Sequence, residues 1–525
     1  MIFLHDNKSR PWFLQIGALA LFVWLVPFLH GCSTLTVPPP SSPAVYAEKP
    51  AASGVIARTA QRFSSLHAPP ASGFLALSDN QAAYEWRLTL VDQAVESIDV
   101  QYFIWQNDAT GLMLFERLLQ AADRGVRVRM LVDDFVFAAK DRNIAAITRH
   151  PNFDIKIYNP GRVRDSTLGG IGEFILYFKE LNRRMHNKLF VVDNRMAIVG
   201  GRNIGDAYFG LSDTYNFRDL DVLVAGSVVE EISHAFDEYW NAELAYPGSA
   251  MSDKATIDDL AALRSRVSDY LATQRDRLAT YLEPSSGSID ALEQLPRNMA
   301  IGEAHFIQDD PVVVDGEQLR LIDMLDHIAD PSQSELIFVT PYLIPMKGSL
   351  EELAQTAARG VEVNILTGSM GSNNHTAAHS HYKKYRRSIL ATGANLYEFR
   401  HDPSPKIQDT SNVEPIEASF ISLHTKAIVA DGKRCFVGSL NLDPRALDIN
   451  TENGLYIDSP GLCGQLAMEF ETLLAPDNAW RVYLNNDNAL RWESSSGTTS
   501  IQPARSFWQR IADFFFRLLP IEGQL

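Results

Sequence analysis

Apolar and polar positions along the chain fall into one plan that is used twice. From Gln81 a pattern of helical period leads into SIDVQYFIW, an apolar run of strand length; GLMLFERLLQAADRG returns to helical period and VRVRMLVDD closes the unit as a second strand. In the second half SELIFVTPYLIP, SLEELAQTAARG and VEVNILTGS repeat that order. Arg124-Gly125-Val126 then falls against Arg359-Gly360-Val361, an offset of 235 residues, which points to an internal duplication. Strands alternating with helices predict an α/β fold of two units, each a mixed sheet covered by helices, over residues 71–250 and 301–480. Residues 251–300 are polar and of helical pattern, and read as the connection.

The flanks are different in kind. Lys8 and Arg10 precede an apolar run from Trp12 to Leu29 that ends in Leu29-His30-Gly31-Cys32, so residues 1–32 read as an export signal. Gly before Cys there resembles a bacterial lipobox, with Cys32 becoming the lipidated first residue. The alternative is an uncleaved anchor, since the run is near the ~20 residues that span a bilayer. Either form tethers the chain to a membrane, facing the periplasm, and serine at position 33 resembles a sorting signal for the outer membrane. Residues 33–70, with VPPPSSPA, suit a tether without a core. In the tail, 481–525, the stretch SFWQRIADFFFRLLP puts Phe507, Ile511, Phe514, Phe515 and Leu518 on one helical face. A helix packed on the core is the expectation; a helix lying in the membrane interface is its competitor.

The densest chemistry lies in Arg183 to Asn203, RRMHNKLFVVDNRMAIVGGRN, and in Leu423 to Asn441, LHTKAIVADGKRCFVGSLN. The two match position for position as H-x-K-x(4)-D-x(6)-G-x-x-N: His186 with His424, Lys188 with Lys426, Asp193 with Asp431, Gly200 with Gly438, Asn203 with Asn441. One H-x-K-x(4)-D could arise by chance, but two copies with the same extended tail are specific. LFVV and KAIVA are strand-length apolar runs ended by Asp-Asn and Asp-Gly, so each copy predicts strand, tight turn, strand. His and Lys at i and i+2 share a face, where an imidazole can attack or protonate an oxygen beside an ammonium that holds a phosphate. Each aspartate is an odd number of residues from its histidine and takes a structural role at the turn.

Phosphodiester cleavage needs a nucleophile for phosphorus, positive charge for the equatorial oxygens and an acid for the leaving alkoxide. Two His-Lys-Asn sets supply these without a cofactor or a metal. Each histidine also needs a carboxylate to fix its tautomer. The strand after each motif offers one: Asp219 in FRDLDVLVAG, with Asp221 competing, and Glu452 in NTENGLYI.

At these residues the chain resembles the phospholipase D superfamily, whose members carry paired motifs of this kind. Within it, LNRRMHNK, GGRNIGDAYFG, NLDPR and the closing SFWQRI are similar to bacterial cardiolipin synthases. Two departures stand in the first copy: Asn194 where glycine is usual, and Gly201 where the second copy has Ser439. The resemblance implies two pseudo-symmetric α/β sandwich domains with one active site at their interface. It implies a catalytic set of His186, Lys188, Asp193, His424, Lys426 and Asp431, with Asn203, Ser439, Asn441, Asp219 and Glu452 binding phosphate or orienting. His186 would attack, forming a phosphohistidine, and His424 would serve as acid and base. The activity implied is transfer of a phosphatidyl group, from phosphatidylethanolamine, to phosphatidylglycerol to make cardiolipin. Hydrolysis by a phospholipase D and an exported nuclease are the competing readings. The partners expected are membrane phospholipids, with a helper protein left open.

Composition narrows this further. At 46% apolar and 21% charged the chain is globular, and its formal charge of −17 argues against a surface for nucleic acid. Three cysteines make no disulfide framework; Cys435 and Cys463 could pair, but Cys435 on the second motif strand reads as a buried thiol. His375, His379 and His381 lie close together, yet no third ligand pattern accompanies the i, i+4 pair, and a solvated basic helix is the expectation. His379 alone matches a histidine of the cardiolipin synthase pattern and is kept as a candidate substrate contact. Asp133-Asp134 end a strand and read as a cap on the next segment.

Overall fold

A computed structural model describes residues 43–524 apart from 136–138, 165–172, 175, 283–285, 312–319, 347 and 520. The export signal and Cys32 lie outside the described residues.

The first half holds strands β1 (Ser72–Leu77), β2 (Ser97–Tyr102), β3 (Arg127–Asp133), β4 (Phe153–Tyr158), β5 (Leu189–Val192), β6 (Met196–Gly200), β7 (Asn216–Arg218), β8 (Asp221–Gly226) and β9 (Ala245–Pro247). The second holds β10 (Ala300–Gln308), β11 (Glu335–Val339), β12 (Glu362–Gly368), β13 (Asn395–Phe399), β14 (Ile421–Leu423), β15 (Ala427–Ala430), β16 (Arg434–Gly438), β17 (Asn453–Asp458) and β18 (Ala479–Leu484). Pairing runs β9-β4-β3-β2-β5-β6-β8-β1 in one sheet and β18-β13-β12-β11-β15-β16-β17-β10 in the other, with only β2-β3-β4 and β11-β12-β13 parallel. The two orders are the same, strand for strand. The halves meet where β1 pairs antiparallel with β10, and again where β7 pairs parallel with β14.

Why the central strands read as unbroken apolar runs is visible in their packing. Leu189 and Val191 of β5 join a central core with Ala427 and Val429 of β15, together with helices Val228–Trp240 and Pro460–Leu474. Phe190 and Val192 face the outer layer of the first half, and Ile428 and Ala430 that of the second. Both faces of each sheet are covered, so period-2 alternation disappears from these strands.

Four expectations change. The tether is shorter than 33–70: Val45 and Ala47 donate to Asn241 and Asp237, and helix Gly54–Leu66 buries Ile56, Ala57, Ala60 and Phe63 in the first core. Burying an Ile or Phe contributes about 1.5–3 kcal/mol each, enough to hold that helix down. The connection belongs to the first half, where helix Ile257–Thr273 inserts Leu260, Val267 and Leu271. The tail is in part sheet: Leu490–Ser494 pairs with β18 and Gly497–Thr499 continues outward. Cys435 is no free thiol. It is bonded to Cys463 across a Cα–Cα distance of 5.6 Å, which joins β16 to the helix that covers it. Among the described residues no helix is long and apolar enough to cross a membrane.

Candidate active site

Each motif turns as its residues require. Asp193 and Asn194 have φ of 55° and 48°, and Asp431 and Gly432 of 54° and 61°, so both central residues of each hairpin are left-handed, the arrangement Asn, Asp and Gly tolerate. Asn194 therefore replaces glycine at little cost. The aspartates face away from the chemistry. Asp193 accepts from the backbone N–H of Val95, Glu96 and Ser97 at 3.1, 2.8 and 3.1 Å, and Asp431 from Gln333, Ser334 and Glu335 at 3.0, 2.8 and 3.1 Å. They bind the hairpin to the start of β2 and β11 and are not part of the reacting set.

The histidines take their carboxylates from the opposite half. His186 Nδ1 lies 2.7 Å from Glu452 Oε2, and His424 Nδ1 lies 2.5 Å from Asp219 Oδ2. The backbone crosses in the same way: His186 N–H donates to Thr451 O and His424 N–H to Arg218 O, the residues just before the two acids. Arg445 adds a third tie, donating to the side chain and the carbonyl of Asn182 upstream of His186. Phe103 stands edge-on to His186 with ring centroids 4.9 Å apart, and Phe217 and Tyr208 flank His424 at 4.6 and 5.3 Å. With Nδ1 engaged, Nε2 is the nitrogen turned to a substrate.

Both lysines are buried and bend back to the carbonyl of their own histidine, Lys188 at 2.5 Å and Lys426 at 2.6 Å. Burial brings Lys188 down to about 7, against the pull of Glu452, and Lys426 to about 8, against Asp219. Burial, Lys188 and Lys426 push His186 well below its usual value; burial and Lys426 bring His424 to about 3 despite Asp219. Lysine and histidine of one motif thus act on those of the other, as one site requires.

The two acids are not equivalent. Burial opposes the ionisation of Asp219, but His424, Lys426 and Arg202 outweigh it and hold the carboxyl well below the usual range. Burial pushes Glu452 up to about 8, with Lys188 and Ser439 opposing. Ser439 Oγ donates to Glu452 Oε2 at 2.5 Å. The first copy has no room for that hydroxyl: a Cβ on Gly201 would stand 2.3 Å from Asp219 Oδ1. The motif glycines are needed for a related reason, since a Cβ on Gly200 or Gly438 would stand 2.3 Å from Asp221 Oδ1 or Asn453 O. Asn203 accepts from Ile104 N–H and donates to Tyr208, whereas the buried Oδ1 of Asn441 has no partner among the described residues.

Asp221, the competitor of Asp219, is a buried counter-ion at 2.9 Å from Arg87 and 3.2 Å from Arg202. Asp133 does more than cap: it accepts from Phe135 N–H and, at 2.9 Å, from Met185 N–H next to His186. Asp309, which sequence reasoning missed, accepts from Glu452 N–H at 2.9 Å; no local pattern marks it. His379 is not placed as a substrate contact. Its Nδ1 lies 2.8 Å from Asp513 and Arg386 donates to its Nε2, so both nitrogens are engaged. The helix Thr376–Tyr382 is buried, not solvated, with His381 against Glu522. Among the described residues no group of three His, Cys, Asp or Glu side chains could hold a metal ion.

Two sheets related by duplication, with a His-Lys set from each meeting across the join, define the phospholipase D fold. The family model described as "Cardiolipin synthase, PLD-like domain" matches residues 88–240 and 324–474, and the chain belongs to that family of enzymes. It is 33% identical over 466 residues to cardiolipin synthase C of Escherichia coli strain K12, covering 87% of this chain and 97% of that one. It is 28% identical over 498 residues to an uncharacterized protein of Helicobacter pylori, covering 94% and 97%. Among solved structures, phosphatidylserine synthase of Haemophilus influenzae superposes with a TM-score of 0.52 at 14% identity, over 80% of this chain and 91% of that one, a likeness of fold.

Proposed function

We propose that the protein is a phosphatidyltransferase that makes cardiolipin. His186 Nε2 attacks the phosphorus of a donor phospholipid; the bond from phosphorus to the head-group oxygen breaks as the bond to nitrogen forms, and His424, which takes up a proton from solvent once the substrate phosphate offsets the charge of Lys188 and Lys426, gives that proton to the leaving oxygen. The terminal glycerol hydroxyl of phosphatidylglycerol then attacks, its proton passing to His424 as the phosphorus–nitrogen bond breaks. Lys188 and Lys426, starved of solvent, regain full charge against the phosphate oxygens.

The observation that carries this reading is the crossed pairing of His186 with Glu452 and His424 with Asp219. Burial and both lysines hold the two imidazoles neutral, which suits His186 for attack; what distinguishes His424 is its anionic partner Asp219, which stabilises the imidazolium that His424 must become, whereas Glu452 beside His186 is pushed up to about 8. The likeness to cardiolipin synthases favours a lipid alcohol as acceptor; phosphatidylethanolamine is the donor implied by the resemblance of the paired motifs. The apolar run ending at Gly31-Cys32 supports a lipidated chain at the periplasmic face of a membrane.

The test is product identity. Cells making the wild type or His186→Ala are fed donor lipid labelled in its phosphatidyl group. Labelled cardiolipin from the wild type alone supports the reading, labelled phosphatidic acid alone makes the protein a hydrolase, and equal cardiolipin from both overturns it.

A further inference from the structure

The helix Phe507–Phe516 docks the wrong way round for a core helix. At 100° per residue Phe507, Ile511, Phe514, Phe515 and Leu518 share one face and Asp513 lies on the opposite one. It is Asp513 that is buried, 1% exposed, while Phe507, Trp508 and Phe515 are 71%, 75% and 62% exposed. The inward contact is ionic: Asp513 meets His379 at 2.8 Å and bonds Lys383. The residues after the helix are pinned as well, Glu522 by Lys384 at 2.7 Å and by Tyr385 and His381. An aromatic face is thus held outward by a polar staple, at the cost of burying a carboxylate in place of a ring.

The segment that follows this helix reaches the approach to the active site. Gln524 accepts from Asn182 and from Arg445, the pair that ties the segment before His186 to the second half. Just upstream of Asn182, Leu176, Tyr177 and Phe178 are exposed too. Between 505 and 519 the charged residues are Arg505, Arg510, Arg517 and the stapled Asp513, so in a chain of net charge −17 the free charge beside this patch is positive. Exposed rings rimmed by arginine fit the acyl and anionic head-group layers of a bilayer.

We propose that the C-terminal helix is the surface by which the catalytic half of the molecule seats on an anionic phospholipid bilayer, bringing the mouth of the site to the lipid head groups. The inference rests on the phosphatidyltransferase reading only for its choice of substrate. The staple of Asp513 with His379 and Lys383 sets the orientation; the aromatic residues supply the insertion.

The test uses the full chain and the Trp508→Asp/Phe515→Asp double variant. Rates are measured on vesicles of phosphatidylglycerol and phosphatidylethanolamine, and on the dihexanoyl forms of the same two lipids below their micelle concentrations. The expected result is a loss of tenfold or more on vesicles, with the soluble rate and the melting temperature unchanged. An unchanged vesicle rate overturns the proposal, and so does an equal loss on both substrates with a lower melting temperature, which would make the helix a core element. A drop in assembly mass of the variant in lipid-free sedimentation also overturns it, because a second copy would then be what covers the face. Should the wild type turn over neither substrate, the activity reading fails alone. Quenching by brominated lipids then decides docking: it should be weaker in Trp508→Phe than in the wild type, and equal quenching overturns it.

Discussion

His186 and Glu452 are 266 residues apart in the chain and 2.7 Å apart in space, and each lies in a different half of the duplication. His424 with Asp219 is the mirror of that pair. Neither half supplies the carboxylate for its own motif histidine, so a single half should be chemically inert. The crossing also predicts which residue feels which substitution. Glu452→Gln should shift the Nδ1 resonance of His186 and leave that of His424 in place, and Asp219→Asn should do the reverse. Each should lower turnover on the order of 100-fold or more with a small change in melting temperature. Nitrogen NMR of the histidines reads the assignment, and effects within the same half would contradict it.

Asp219 and Asp221 look alike in sequence and should behave differently. Asp221→Ala strands Arg87 and Arg202 without their carboxylate in the core, a loss expected at about 3–5 kcal/mol. Asp219→Asn should retain most of the stability and little of the activity. Denaturant unfolding beside initial rates separates the two.

The lysines give the protein a pH signature. Lys188 titrates at about 7 and Lys426 at about 8 when folded, against 10.5 for an ordinary lysine. Between those values the unfolded chain binds more protons than the folded one, so these groups make stability rise with pH from about 7 to 10.5, and their full penalty applies below that window. Activity should move the opposite way, with KM rising above about pH 8 as the empty site loses its charge. Lys188→Met should abolish turnover and flatten part of the pH dependence of the unfolding midpoint. A midpoint that keeps the wild-type dependence would count against the buried-ammonium account.

The departure at position 201 is predicted to be obligatory. Gly201→Ser sets a Cβ against Asp219, displacing the partner of His424, and should cost 100-fold or more in kcat. Ser439→Ala removes one hydrogen bond to Glu452, which burial keeps mostly protonated below about pH 8, a loss of roughly 0.5–1.5 kcal/mol. It should therefore be the milder change by initial rates.

How far the sequence could be read depends on the range of the interactions. Both hairpins are local, fixed by apolar runs and left-handed turn residues, and the duplication is carried by spacing alone. Asp219 and Glu452 could be picked out as acids, but not which histidine each serves, because that depends on how β7 lies beside β14 and Met185 beside Thr451. Asp513 shows the other limit. An apolar helical face normally turns inward, and only the distant His379 and Lys383 reverse it. Cys435 likewise read as a thiol because its partner arrives from a helix, 28 residues on, whose packing over that strand no local pattern announces.

The phosphatidyltransferase mechanism stands or falls on the covalent step. His424→Asn, incubated with phospholipid labelled in its phosphatidyl group for long enough to offset the acid missing from the first step and then digested, should carry the label on His186, since the second step lacks its base. Mass spectrometry that places the label on His186 is the predicted result; label on His424 in the His186→Asn variant, with none on His186 in the other, would contradict it.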